Sequence, residues 1–268
     1  MQSLTTTSFS SSTAWQRIRV AFSRAVVSQV HPRMLAALIM PFFVAFIGAV
    51  FLLWFFWTPL KDQIALWLTQ WGVFSEQPDF WVVAAGLLAI KFIIGPLLAA
   101  ATLLPLAGIA GLIVSAVLVM PIVLAFVQKK QVQPLHKQGR FAFSYSVWNA
   151  VWVGVLFVLG WLLTLPLWLV APLALILPIF WWAFAFTRLL RVDSIVEHAS
   201  PAERKTLLER HNKEYWLMGT VLALLNLLPP AWLILPVFSA LVFAHFNLAA
   251  LAELRLEQQS QNNALTPL

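Results

Sequence analysis

Few residues in this sequence are equipped for chemistry, and most of those that are interrupt or border long apolar runs. Lys91, Asn149, Asn226, His245 and Asn247 stand among aliphatic and aromatic neighbours. A bilayer tolerates such groups when they face protein or water, so each is a candidate for a conduction pathway. Each also has a plainer reading. Lys91 can snorkel from the outer end of its run, and Asn149, His245 and Asn247 can bond neighbouring helices. Asn226 precedes Pro229-Pro230, where a broken helix leaves backbone groups in need of a polar surround. Such turns line substrate cavities in transporters.

No enzyme constellation accompanies them, and the chain is not expected to be an enzyme or to carry a cofactor. The five histidines (His31, His136, His198, His211, His245) are dispersed. There is no His-Glu-x-x-His, phosphate-loop or dinucleotide glycine pattern, and the apolar runs lack paired carboxylates. The absence of cysteine excludes thiolate ligands and nucleophiles. Asp193, Glu197 and His198 share one segment and could ligate a metal, but a solvated charged linker explains them equally well, and no metal is expected.

The elements that must position these residues follow from composition. Of 268 residues, 61% are hydrophobic and 10% charged, against about 45–50% and about 25% in soluble domains. Charge-free stretches cover residues 34–60, 92–128, 141–187 and 215–252. Each exceeds the roughly 20 residues that cross a bilayer as a helix. The chain therefore reads as an all-α, polytopic membrane protein whose chief partner is the lipid bilayer. The net charge of +7 sits beside apolar runs instead of on a soluble face, so it argues for topology and against nucleic acid. The first run begins at Met34, too long and too far in for a signal peptide, and is expected to be retained.

Lys and Arg concentrate in residues 1–33, 128–140 and 188–214, whereas 61–79 holds Lys61 against Asp62, Glu76 and Asp79. The positive-inside rule makes the first three segments cytoplasmic, with both termini. Parity then gives two long transmembrane helices, spans 34–57 and 97–127, and two proline-broken helical hairpins, 141–187 and 215–252. The second hairpin has too few residues for two full crossings and is expected to penetrate only partly. Pro166, Pro172 and Pro178 should interrupt the first hairpin, and Asn226, Pro229, Pro230 and Pro236 the second. A shared P-x-W-L-x-x-P pattern, Pro166 to Pro172 and Pro230 to Pro236, is consistent with a structural repeat or with two independent proline turns.

The flanks add an amphipathic helix over 15–30, with Trp15, Ile18, Phe22, Val26 and Val30 at helical spacing, lying on the cytoplasmic leaflet. An outer interfacial segment, 60–96, carries Leu60, Ile64, Trp67, Trp71 and Phe74. Ser200-Pro201-Ala202-Glu203 is a capping box that starts a cytoplasmic helix over 201–214. Lys205, Glu209 and Lys213 should pair at i,i+4 along it. Residues 1–14 and the tail 253–268 are expected to be disordered, leaving 15–252 as a single membrane domain.

These residues resemble the etoposide-induced/CysZ-like membrane proteins, whose bacterial members include sulfate permeases. His31-Pro32-Arg33-Met34-Leu35 with Met40-Pro41 resembles the family's P-G-L-R segment and downstream proline, although the Gly-Leu pair is absent here. Asp193, Glu197 and His198 resemble its acidic, histidine-containing linker, and Leu225-Asn226-Leu227-Leu228-Pro229-Pro230 its N-L-x-x-P turn. The resemblance covers about residues 15–252 and implies two long spans with two partly penetrating hairpins in a bacterial inner membrane. It implies a permease or channel for a small oxyanion such as sulfate, with Arg33 recruiting the anion; the polar groups singled out above, Asn226 with Pro229 and Pro230, His245 and Lys91, are then the candidates along the path. A homo-oligomer is compatible with it. The alternative is a non-transport scaffold or assembly factor, with Arg33 a topology anchor.

Overall fold

The computed structural model describes residues 13–70, 96–104, 107, 118–129, 135–139 and 141–265. They fall into two compact units, residues 39–118 and residues 1–38 with 119–268. Regular structure among the described residues is helical throughout. In chain order it comprises α1 (Ala14–Gln29), α2 (Pro32–Gln70), α3 (Leu118–Lys129), α4 (Ala142–Thr164), a 3-10 segment (Leu165–Leu169), α5 (Ala171–Asp193), α6 (Pro201–Arg210), α7 (Asn212–Leu225) and α8 (Ala231–Leu265). Four of these elements are long and apolar enough to cross a membrane: α2, α4 with its 3-10 extension, α5 and α8.

The unit of residues 39–118 carries most of α2. Phe43, Phe46, Phe51 and Trp54 are all exposed along it, as expected of a helix that is apolar on every face and sits in lipid. The expected break between span 34–57 and an interfacial segment beginning at 60 is absent. Pro41 and Pro59 lie inside a continuous helix of 39 residues, about 58 Å long against a hydrocarbon core of about 30 Å. Proline keeps a helical φ and forfeits one backbone bond, so it does not by itself end an apolar helix. Residues 71–95, including Lys91, Trp71 and Phe74, lie outside the described residues. Of the expected span 97–127, residues 96–104 and 118–129 are helical where described.

The unit of residues 1–38 and 119–268 is organised around α8. In its most apolar stretch 72% of residues are buried, against 6% for α2, 6% for α4 and 17% for α5. Length and apolarity make all four candidates to span, but burial separates them: α8 is wrapped by protein, chiefly α1, α5 and α7. Leu241, Phe243, Phe246, Leu248 and Leu251 are fully buried among Ile195, Leu207, Tyr215, Met218 and Leu222. Tyr215 stacks on Phe243 with ring centroids 6.1 Å apart.

Local sequence explains the closest contacts. A Cβ on Gly219 would fall 2.0 Å from Thr187 Oγ1 and 2.8 Å from the Ala183 carbonyl oxygen, so glycine lets α7 lie against α5. The Thr187 hydroxyl then donates to the Tyr215 carbonyl at 3.2 Å. Thr13 caps α1 in a reciprocal box with Gln16. The inward face of α1 is Ile18, Ala21, Ala25 and Ser28, whereas Trp15, Val26 and Val30 point outward. The helix thus has two apolar faces, not the single stripe read from the sequence, and small alanines let one of them dock on protein.

The hairpins differ in reach. α4 and α5 have 23 residues each, about 35 Å, long enough to cross; α7 has 14, about 21 Å, which is not. Pro166 and Pro172 lie at the starts of the 3-10 segment and α5, but Pro178 and Pro236 lie inside helices. The two P-x-W-L-x-x-P copies therefore fold differently: Trp168 is in the 3-10 segment, while Trp232 is in the first turn of α8.

Three further boundaries shift. The helix expected over 201–214 breaks at His211 into α6 and α7, and among the described residues Lys205, Glu209 and Lys213 form no ion pair. The tail expected to be structureless from 253 continues α8 to Leu265, and its first turns are tied down where Arg255 bonds Glu203 and Glu257 pairs with Arg210. The N-terminal expectation falls mostly on residues 1–12, outside the described residues, and Thr13 and Ala14 begin α1.

Candidate functional site

Arg33 is exposed in the first turn of α2. A helix N-terminus attracts anions through free amides, but those here are engaged. Pro32 has none, the Arg33 amide donates to His31 Nδ1 at 3.3 Å, and the Met34 and Leu35 amides donate to the His31 carbonyl. An anion at this turn would be held by the guanidinium fork. His31 is set in place by its ring against Phe126, 4.7 Å between centroids.

The Asn226–Pro230 turn is internally satisfied. The amides of Asn226, Leu227 and Leu228 donate back to Leu222, Leu224 and Leu225, and Ala231 and Trp232 donate to Leu228 and Pro229. The Trp232 indole N–H donates to the Asn226 carbonyl at 2.7 Å. Asn226 is half-buried, Pro229 and Pro230 are exposed, and Leu227, Leu228, Leu233 and Ile234 expose an apolar tip around them. His245 lies 14 residues along α8 from Ala231, about 21 Å from the turn. It is buried in the middle third of α8, where Nε2 meets the Ser28 hydroxyl at 3.0 Å. The structure therefore pairs His245 with α1 and does not bring it to the turn.

Most of the polar chemistry of this unit lies in residues that periodicity did not single out. Arg17 donates to Glu214 at 2.9 Å, with side chains 16% and 7% exposed, and His211 Nδ1 lies 3.4 Å from the same carboxylate. The Tyr215 hydroxyl donates to Asn247 Oδ1 at 2.6 Å, and the Asn247 amide donates to Ser194 Oγ. Arg255 donates to both oxygens of Glu203, at 2.8 and 3.2 Å, and to the carbonyls of His136 and His198, at 3.1 and 2.8 Å. Burial opposes ionisation of Glu203, but the Arg255 and Ser200 hydrogen bonds outweigh it and hold its carboxyl below the usual range. Burial pushes the His198 and His211 imidazoles below theirs. By sequence Arg17 is one of the cations of residues 1–33 and Glu203 a helix cap. The available signals were two: Glu214 at the mouth of an apolar run, and Arg255 within a tail of opposite charges.

Asp193, Glu197 and His198 take separate partners. Glu197 pairs with Lys137 at 2.8 Å, His198 faces Gln128 at 3.3 Å, and Asp193 bonds Ser146. Among the described residues no three His, Asp or Glu converge as a metal site. Asn149 bonds the Arg188 carbonyl at 3.1 Å, tying α4 to α5.

Helices with apolar exteriors, packed in part around a hydrogen-bonded polar core, define a multi-pass membrane protein. The chain belongs to the family described as sulfate transporter CysZ/etoposide-induced protein 2.4, whose model matches residues 21–236. No curated protein and no solved structure matches the chain. The family match stops before His245, Asn247 and Arg255, so the segment that completes the polar core lies beyond it.

Proposed function

We propose that the protein is a permease or channel that passes a small oxyanion, such as sulfate, across the bacterial inner membrane, with both termini cytoplasmic. The observation that carries this reading is membership of the CysZ/etoposide-induced family over residues 21–236. The exposed guanidinium of Arg33 supports it, because a planar fork suits a divalent oxyanion. Arg33 recruits the anion on the cytoplasmic side. The Asn226, Pro229 and Pro230 turn borders the path. α2 is one long span, and α7 with the tip of α8 dips part-way into the bilayer, a reading supported by the 14 residues of α7, too few for a full crossing. Several copies assemble as a homo-oligomer around the path.

Uptake of radiolabelled sulfate into proteoliposomes tests the reading. Flux should exceed that of empty vesicles and fall about tenfold or more in Arg33→Ala, the size of losing one charge-assisted contact. Flux equal to that of empty vesicles would overturn the permease and leave the scaffold.

A further inference from the structure

Among the described residues, the partly buried cations of this unit divide into two groups. Arg17 and Arg255 each have a carboxylate partner. Arg24, Arg188, Arg191 and Arg204 have none within ion-pair distance, although all four are half-buried; Arg24 stands by itself on α1, apart from Arg188, Arg191 and Arg204.

These three arginines gather at the base of the α4/α5 hairpin, the end opposite its proline tip. Arg188 and Arg191 are i,i+3 on the last turns of α5, so they share a face. Arg188 and Tyr145 are electrostatic neighbours of Arg191. The Arg204 guanidinium, from α6, lies over the Tyr145 ring at 3.9 Å. Tyr145, in the first turn of α4, thus links the cations of α5 and α6. Arg191 is anchored from a fourth element, donating to Asn212 Oδ1 at 3.2 Å. The Nε atoms of both Arg188 and Arg191 are buried and lack a hydrogen-bond partner. Asp193 is the one carboxylate at this end of α5. It bonds Ser146, and its Oδ1 is itself buried and unpartnered.

Three half-buried guanidiniums with one unpaired carboxylate carry a net positive charge where water is scarce, and burying cations is costly without a counter-charge. A guanidinium stacked on an aromatic face still presents its N–H edge, so Arg204 can stack on Tyr145 and bind at once. The geometry points to a second anion site, formed by Arg188, Arg191 and Arg204 beside Tyr145, that takes a tetrahedral oxyanion: a free sulfate or phosphate, or the phosphate of a lipid headgroup. Its chemistry is fork-shaped, charge-assisted hydrogen bonding from two helices. It does not rest on the permease reading, since it uses neither Arg33 nor a conduction path.

The test is thermal stabilisation of the purified full chain in neutral detergent, in the Arg33→Ala background so that the first candidate contributes nothing. Sodium sulfate and phosphate are titrated against sodium chloride of equal ionic strength. A second arm titrates phosphatidylglycerol against phosphatidylcholine. A rise in melting temperature specific to the inorganic oxyanions assigns the free ion, and a rise with phosphatidylglycerol alone assigns the headgroup. Either should weaken about tenfold or more in Arg188→Gln/Arg191→Gln. No rise in either arm, or a rise undiminished in that variant, overturns the site. Should the double variant fail to fold, Arg204→Gln on α6 replaces it. Weaker binding then supports the site, and unchanged binding overturns it. Sulfate flux is read separately, so loss of the permease reading leaves this result standing.

Discussion

Replacing Arg255 with methionine tests whether the C-terminal segment is structural. Arg255 makes two bonds to Glu203 and one each to the carbonyls of His136 and His198. It therefore ties α8 to α6, to the loop at 135–139 and to the linker after α5. The two side chains are 16% and 8% exposed. Removing one partner of a buried pair costs about 3–5 kcal/mol, because the other charge remains uncompensated. The residual exposure, and the Ser200 amide that still donates to Glu203 at 2.7 Å, place Arg255→Met at the lower end, about 3 kcal/mol. For a chain of this size that is a fall of roughly 6–12 °C in melting temperature, measured by heating in detergent and quantifying the monodisperse fraction. Adding Glu203→Gln removes the stranded charge and should restore part of the loss. Deleting residues from Glu253 onward should cost at least as much as the single change. An Arg255→Met protein within about 2 °C of wild type, or a double variant less stable than the single, would refute the reasoning.

Four other outcomes follow from the same structure. His198 and His211 are held below the ordinary imidazole value of 6.5, so on acidification the unfolded chain takes up protons before the folded one does; stability should be flat above about pH 6.5 and decline below it, and His198→Gln should flatten part of that decline. The Glu203 carboxyl is depressed below 4.5, so the difference in melting temperature between wild type and Glu203→Gln should persist at neutral pH and shrink only once pH falls below that value. Gly219→Ala drives a methyl into Thr187 Oγ1 and the Ala183 carbonyl and should cost about 1–3 kcal/mol as α7 is pushed off α5, seen as a lower melting temperature. Phe141 caps α4 at φ 54° with its ring exposed, a left-handed conformation that costs a bulky residue about 1–2 kcal/mol, so Phe141→Gly should raise the melting temperature by a few degrees.

What the sequence discloses here depends on whether lipid or protein does the solvating. The helical class, the capping box at Ser200–Glu203 and the turns at Pro166–Pro172 and Asn226–Pro230 were legible, because backbone chemistry alone dictates them. The burial of α8 was not: a helix apolar on every side reads the same whether lipid or protein surrounds it. The α1 face was misread for a related reason. Ala21 and Ala25 carry little hydrophobic signal, yet they are what permits close packing, whereas Trp15 and Val26 carry a large one and point away from the protein. Pro178 and Pro236 read as breaks, but each, like Pro41 and Pro59, sits in a helix that loses one bond to it and keeps its course. As for the site, Arg33 stood out through its motif. The partners of Arg17, Arg255 and Asn247 are 197, 52 and 32 residues away, and no local pattern links such pairs.

The polar bonds of α8 settle a question that apolar packing leaves open. A helix wrapped in leucine and phenylalanine can shift by one turn, about 5.4 Å, and find nearly equivalent contacts. His245, Asn247 and Arg255 remove that freedom, because they bond α1, the α5–α7 pair and the α6 cap respectively. A one-turn slide would strand all three sets at once, and each stranded group is costly in an interior without water. Polar residues of this kind fix register more than they add net stability. The position of the Asn226–Pro230 turn is then set from the far end of α8, beyond the residues matched by the family. A variant that weakens those bonds should alter how the tip sits in the bilayer while leaving every residue of the tip unchanged.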